Sequence, residues 1–374
     1  MIQPPPAQPG MMEQEVDTPA LIIDLDAFEH NLDTMMRMLA PTGAKLRAHA
    51  KTHKSPIIAQ LQIARGAVGQ CVQKVGEAEA LAWGGVKDIL VSNEVVGMQK
   101  LRRFAALADI ATVAICVDSL FHVKQLETAA REANRRLTAL VEIDAGGGRC
   151  GANPGAESVE LAKRIASSRH LKFGGLQAYH GGAQHRRTHE ERERAIAHAV
   201  AVTTQTLEGI NAAGLKCGIV GGGGTGTFML EARSGVYTEI QAGSYVFMDA
   251  DYGRNIDDRK ESVGAFRQSL FVLSTVMSQA REGTAVIDAG LKALTFESGM
   301  PLIWERPGVT YVDPSCEHGQ LRVEAGIEAP ALGEKLRVVP PHCDPCVDRY
   351  DWYVGVRGGK VECLWPVAAR GCIS

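Results

Sequence analysis

AKLRAHAKTHK, residues 44–54, follows the helix-like segment AFEHNLDTMMRML (27–39), ends a short β-leaning run and precedes a helix opened by Pro56. Lys51 thereby stands at the C-terminal end of the second of many alternating strands. That is where an α/β barrel would carry a Schiff-base nucleophile. Two lysines and two histidines within residues 47–54 also read as a solvated basic turn, and the string alone does not separate the two readings.

Working outward, short apolar runs alternate with longer amphipathic ones from Ala20 to about Val246, the pattern of a parallel sheet whose strands are joined by helices. The candidate strands are ALIIDL, AKLRAHA, GQCVQ, DILVSN, TVAICVD, TALVEIDA, FGGLQAYH and GIVGG. Eight such units spell a (β/α)8 barrel. After Gly243 the strand-like runs SLFVLSTVMS, TAVIDAG, LRVEAG, KLRVVP and WYVGVR follow one another without helices, as in an antiparallel β domain. We therefore expect an α/β protein with a barrel over 18–260 and a mainly antiparallel β domain over 261–374, with 1–17 packed on the latter.

The chain has 374 residues, 45% of them hydrophobic and 22% charged, with a formal net charge of -3. There is no basic field to attract nucleic acid and no apolar run of membrane-spanning length. The start MIQPPPAQPGMMEQE lacks the basic and apolar parts of a secretion signal, so a cytoplasmic location is expected. Nine scattered cysteines fit reduced thiols. Cys343 and Cys346 form one C-x-x-C pair, a weak metal or redox signal without a second pair.

Chemical groups in such a barrel collect at the C-terminal strand ends. Those ends carry Lys51, Gln73, Asn93, Asp118, Asp144 with Arg149, Tyr179 with His180, and the run GGGGTGT (221–227). Asn93 and Asp118 read best as caps. The glycine run offers backbone N–H groups for a phosphate and lacks the spacing of a dinucleotide fingerprint. Lysine, arginine, tyrosine and a phosphate loop on one face point to pyridoxal phosphate. In PHCDP (341–345), an extended strand would place His342 and Asp344 on one face and turn Cys343 to the other. An imidazole and a carboxylate suit a hard divalent ion such as Mn²⁺ or Mg²⁺.

RAHAKTHK, CVQKVGEAEA, VEIDAGGGRCG, LQAYHGGAQH, GGGGTGT, QAGSYVFMDADYG, VIDAGLK, CEHG and PHCDP together resemble the D-threonine aldolase group of the fold-type III, alanine-racemase-like pyridoxal-phosphate enzymes, from about residue 15 to the C-terminus. The 3-hydroxy-D-aspartate aldolases and the D-serine dehydratases share nearly the same motifs. The resemblance implies Lys51 as the Schiff-base lysine, Gln73, Tyr179, Gly224, Thr225, Gly226 and Thr227 around the cofactor ring or phosphate, and Arg149 at its phenolic side. It also implies a metal on His342 and Asp344, His185 as the base for the substrate hydroxyl, and a homodimer. The D-serine dehydratases carry cysteine and zinc where Asp344 stands, which favours aldol cleavage of D-β-hydroxy-α-amino acids. The alternatives are a 3-hydroxy-D-aspartate aldolase, a D-serine or 3-hydroxyaspartate dehydratase, or a non-catalytic pyridoxal-phosphate carrier.

Overall fold

The computed structural model describes residues 3–258 and 264–374. The expected boundary between residues 260 and 261 lies outside them. Eight parallel strands close a barrel: β2 (Lys45–His49), β3 (Gly69–Val72), β4 (Asp88–Glu94), β5 (Thr112–Val117), β6 (Leu137–Glu142), β7 (Leu171–Gln177), β8 (Ile219–Gly222) and β9 (Glu239–Ile240). β1 (Ala20–Asp24) is not among them.

This corrects the strand assignment from the sequence. ALIIDL was expected to open the barrel, but β1 pairs antiparallel with β10 (Leu270–Ser278) and parallel with β16 (Trp352–Arg357) in the second sheet. Its residues Leu21 to Ile23 are fully buried, and a run apolar on both faces suits either sheet equally. The barrel is instead closed by β9, two residues long, between β8 and β2. Its closure is fixed inside the barrel by Arg47, whose guanidinium bonds Glu239 of β9 at 2.6 Å and Asp88 of β4 at 2.5 Å. GIVGG is thus the seventh barrel strand, not the eighth.

The second sheet continues with β11 (Thr284–Ile287), β12 (Leu302–Ile303), β13 (Val309–Pro314), β14 (Gly319–Val323), β15 (Lys335–Val339) and β17 (Lys360–Pro366). Its pairings are antiparallel except β1 with β16, as expected for the C-terminal region. The N-terminal stretch joins it, with Gly10 N donating to Val361 O at 2.8 Å.

The helix α1 (Leu25–Leu39) links the two units: Asp24 caps it by accepting from Ala27 N at 3.0 Å. Its buried Phe28, Leu32 and Met35 recur at helical spacing. Phe28 also touches Phe247 and Trp365, so one side-chain cluster ties α1, the barrel exit and the sheet together. The short segment before β16, Pro340 to Val347, is thereby held over the C-terminal mouth of the barrel, where Ala250 N and Asp251 N donate to the carbonyls of Pro340 and Pro341.

Candidate active site

A cavity of about 490 Å³ opens at this mouth. Strand alternation in β2 turns Arg47 inward at the base and His49 inward at the top, and the chain then turns so that Lys51 also lines the cavity. Lys51 Nζ is hydrogen-bonded to Asp344 Oδ2. Burial works against both charges, but each partner more than compensates. The lysine pKa is raised by Asp344, and the Asp344 carboxyl is held well below the usual carboxylate range by Lys51 and His342. Lys54 is spent elsewhere, its Nζ 2.8 Å from Asp348 Oδ1 and 3.4 Å from Glu77 Oε1.

His342 and Asp344 do converge, with His342 Nε2 3.8 Å from Asp344 Oδ2. They do so by a different geometry from the extended strand expected. His342 is the N-cap (φ -142°, ψ 125°) of a short helix, Cys343–Val347. Two prolines end β15, and Asp249 Oδ2 accepts from Cys343 N at 3.0 Å, which starts the turn by satisfying an end donor. Cys343 is fully buried and absent from the cavity lining. Cys346 is buried too, and burial pushes its thiol up to about 12. No group of three or more metal-ligating side chains occurs among the described residues. His342 and Asp344 would have to share an ion with substrate or water.

Gln73, Arg149, Tyr179, His185, Gly224 and Thr225 all line the same cavity. Gln73 Nε2 lies 2.8 Å from His49 Nε2 and fixes that ring. Burial, then the nearby Lys51, lowers the His49 pKa strongly, so the imidazole is neutral. The Arg149 guanidinium sits 5.7 Å from the centre of the Tyr179 ring. Gly226 and Thr227 are not brought to the cavity. Gly226 N donates to Gln184 Oε1 at 3.0 Å, while Thr227 Oγ1 bonds Gln184 and Glu231.

Sequence reasoning missed the second half of the phosphate-type cradle, Gly243 and Ser244, which follow β9 and line the cavity beside Gly224 and Thr225, Tyr245 N donating to Thr225 Oγ1 at 3.0 Å. Among the described residues, the backbone N–H groups of all four donate to no protein acceptor. Four unspent donors on two loops suit a phosphate. A Cβ at Gly243 would lie 2.5 Å from Thr52 Oγ1 and 2.7 Å from His49 O, so only glycine lets the loop approach. The turn Gly-Ser after a strand was the available signal. The two-residue β9 before it carries no period that would mark it as a strand end.

Two further groups facing the cavity were also missed. Gln177 and Gln241 exchange side-chain hydrogen bonds at 2.7 and 2.8 Å. Glu142 ends β6 beside Glu94 of β4, and three of their four carboxylate oxygens are buried without a donor. Burial, then Glu94, pushes the Glu142 carboxyl up to about 9, against the pull of Arg149. The Glu142 carboxyl therefore keeps its proton at neutral pH.

A parallel barrel with its lysine after the first barrel strand, joined to a β domain that reaches over the mouth, defines the alanine-racemase-like class. Residues 23–251 match the family model of the alanine racemase N-terminal domain, and residues 269–356 match that of a putative serine dehydratase domain. The 3-hydroxy-D-aspartate aldolase of Paracoccus denitrificans (strain Pd 1222) is 45% identical over 98% of this chain and 95% of its own. The D-threonine aldolase of Arthrobacter sp. is 46% identical over 98% and 96%. The crystal structure of D-threonine aldolase from Filomicrobium marinum superposes with a TM-score of 0.96 at 47% identity, covering 100% of both chains. The D-threo-3-hydroxyaspartate dehydratase of Delftia sp. HT23 gives 0.83 at 28% identity over 95% and 98%. The chain belongs to the aldolase group of this family, alongside the D-threonine and 3-hydroxy-D-aspartate aldolases.

Proposed function

We propose that the protein is a metal-dependent pyridoxal-phosphate lyase that splits D-β-hydroxy-α-amino acids, D-threonine in type, into glycine and an aldehyde. The observation that carries this reading is that Lys51, His342 and an unspent N–H cradle line one cavity, with Asp344, behind that lining, bonded to Lys51 and 3.8 Å from His342. The carbon-carbon lyase class agrees with the relatives at 45–46% identity.

Bound pyridoxal phosphate would supply an electron sink for the Cα–Cβ bonding pair, and a divalent ion would polarise the β-hydroxyl. Lys51 would hold the cofactor, and Gly224, Thr225, Gly243 and Ser244 its phosphate. Arg149, stacked on Tyr179, would face its phenolic side. Gln73 acts through His49, fixing the ring. His342 and Asp344 would hold Mn²⁺ or Mg²⁺, leaving sites for the hydroxyl. His185 would take the hydroxyl proton. Lys51 and Asp344 are bonded to each other, so an ion held by Asp344 would lie on the lysine's side, where one configuration at Cα would turn the hydroxyl toward it. Gly226 and Thr227 have no direct part in this arrangement.

Asp344 favours aldol cleavage over dehydration: the neighbouring Cys343 is buried off the cavity, and Cys150, which does line it, has its thiol pushed up to about 11 by burial and then Glu94, which disfavours a softer zinc site. The homodimer that the resemblance implies and the expected cytoplasmic location belong to this reading as well. Among the described residues, no helix is long and apolar enough to cross a membrane. The test is a product assay on D-threonine, D-serine, L-threonine and the 3-hydroxyaspartate isomers. Glycine and acetaldehyde should form from D-threonine, little pyruvate from D-serine, and nothing from L-threonine. Faster pyruvate from D-serine than glycine from D-threonine would place the protein with the dehydratases. Faster glycine and glyoxylate from a hydroxyaspartate would change only the substrate.

A further inference from the structure

MDADYG, residues 248–253, belongs to a motif to which the proposed chemistry gives no role, yet it places a carboxylate against the base. Asp251 is 4% exposed. Its two oxygens divide their partners. Oδ1 accepts from Arg187 Nη2 at 2.5 Å and from Arg254 Nη2 at 2.7 Å, while Oδ2 faces His185 Nδ1 alone at 2.5 Å. Arg187 also grips the Asp251 carbonyl at 2.8 Å and Asn255 Oδ1 at 2.9 Å, so the carboxylate cannot swing. Burial by itself would raise the Asp251 pKa, but the bonds from His185 and Arg187 outweigh it and keep the group ionised.

An ionised carboxylate has no proton to give, so the hydrogen between Oδ2 and Nδ1 belongs to the imidazole. A neutral His185 is then bare at Nε2. That atom has no hydrogen-bond partner among the described residues, and the ring lines the cavity beside Tyr252, 5.9 Å between ring centres.

We infer that Asp251 is the positioning residue of His185: it holds the ring over the cavity in the Nδ1–H tautomer, so that Nε2 is the atom that accepts the substrate's β-hydroxyl proton. The inference rests on the reading of His185 as the base. In the step, the substrate O–H bond breaks, an Nε2–H bond forms, and Nδ1–H stays on Oδ2. The imidazolium so formed faces a carboxylate already in place, and later returns its proton to solvent. The two arginines keep Asp251 from being protonated or displaced, and they leave Oδ2 to the histidine.

The test is ¹⁵N NMR on histidine-labelled enzyme loaded with pyridoxal phosphate and Mg²⁺, with the His185 signals assigned by their loss in His185→Gln. The wild-type ring should carry its proton on Nδ1. In Asp251→Asn the amide can donate to Nδ1, so the proton should move to Nε2, and kcat should fall about 10²- to 10⁴-fold, the range for a general base set in the wrong tautomer. KM should change less than about threefold on the same reasoning. A wild-type ring protonated on Nε2 would overturn the inference without recourse to any variant that fails to fold. So would an Asp251→Asn enzyme with undiminished kcat. Full activity in His185→Gln would sink the underlying assignment of the base, a separate result from either tautomer measurement.

Discussion

Replacing Glu142 by glutamine should make the protein more stable at neutral and alkaline pH, although the residue is buried and charged in sequence terms. The folded carboxyl is pushed up to about 9 from an ordinary value of 4.5, by burial and then by Glu94. In the unfolded chain it ionises near that ordinary value. Stability linked to this group is therefore fully present below pH 4.5 and is lost as pH rises toward 9. By pH 7 the unfolded state has been favoured over 2.5 pH units at about 1.4 kcal/mol each, an upper limit of about 3.5 kcal/mol. Glutamine keeps the shape, offers Glu94 a donor as the protonated Glu142 does, and removes this linkage. Urea unfolding at pH 5, 7 and 9 should show the wild type losing stability across the series relative to Glu142→Gln, with the variant ahead by about 2–3 kcal/mol at pH 7. Parallel pH dependences in the two proteins would refute the raised Glu142 pKa, as would a variant destabilised at all three values.

Three other outcomes are expected. EDTA should abolish cleavage while leaving the visible absorption band in place, and Mn²⁺ should restore activity; an Asp344→Ala enzyme with full activity after EDTA would remove the metal from the account. Gly243→Ala should weaken pyridoxal-phosphate binding by about tenfold or more, because its Cβ would meet the His49 carbonyl at 2.7 Å and a buried backbone cannot yield cheaply; titration of the apoprotein by absorbance reads this directly. Thr227→Val should leave that affinity within about twofold, since its hydroxyl faces Gln184 and Glu231 and the cost falls on stability.

What the sequence made legible follows from periodicity and from strand ends. The alternation of apolar runs marks seven of the eight barrel strands, and strand-end position marks Lys51, Gln73, Arg149 and Tyr179. Residues 20–24 defeated the same rule because a fully apolar strand carries no mark of which sheet it enters. β9 defeated it because two residues have no period, and Gly243 and Ser244 were lost with it. His342 and Asp344 meet at 3.8 Å by another geometry than an extended strand, as a helix N-cap and the second residue after it. Asp251 and Glu142 could not be read at all, since their meaning lies in partners 66 residues away, at His185, and across β5, at Glu94.

The central claim is that Lys51 at the barrel mouth carries the cofactor, and reductive trapping tests it most directly. Borohydride reduction of the loaded enzyme, proteolysis and peptide mapping should put the pyridoxyl label on Lys51, and Lys51→Ala should lose both the visible band and activity. Lys54 is held by Asp348 and Glu77, and Lys45 begins β2 at the far end of the barrel. A label on either of them would contradict the account.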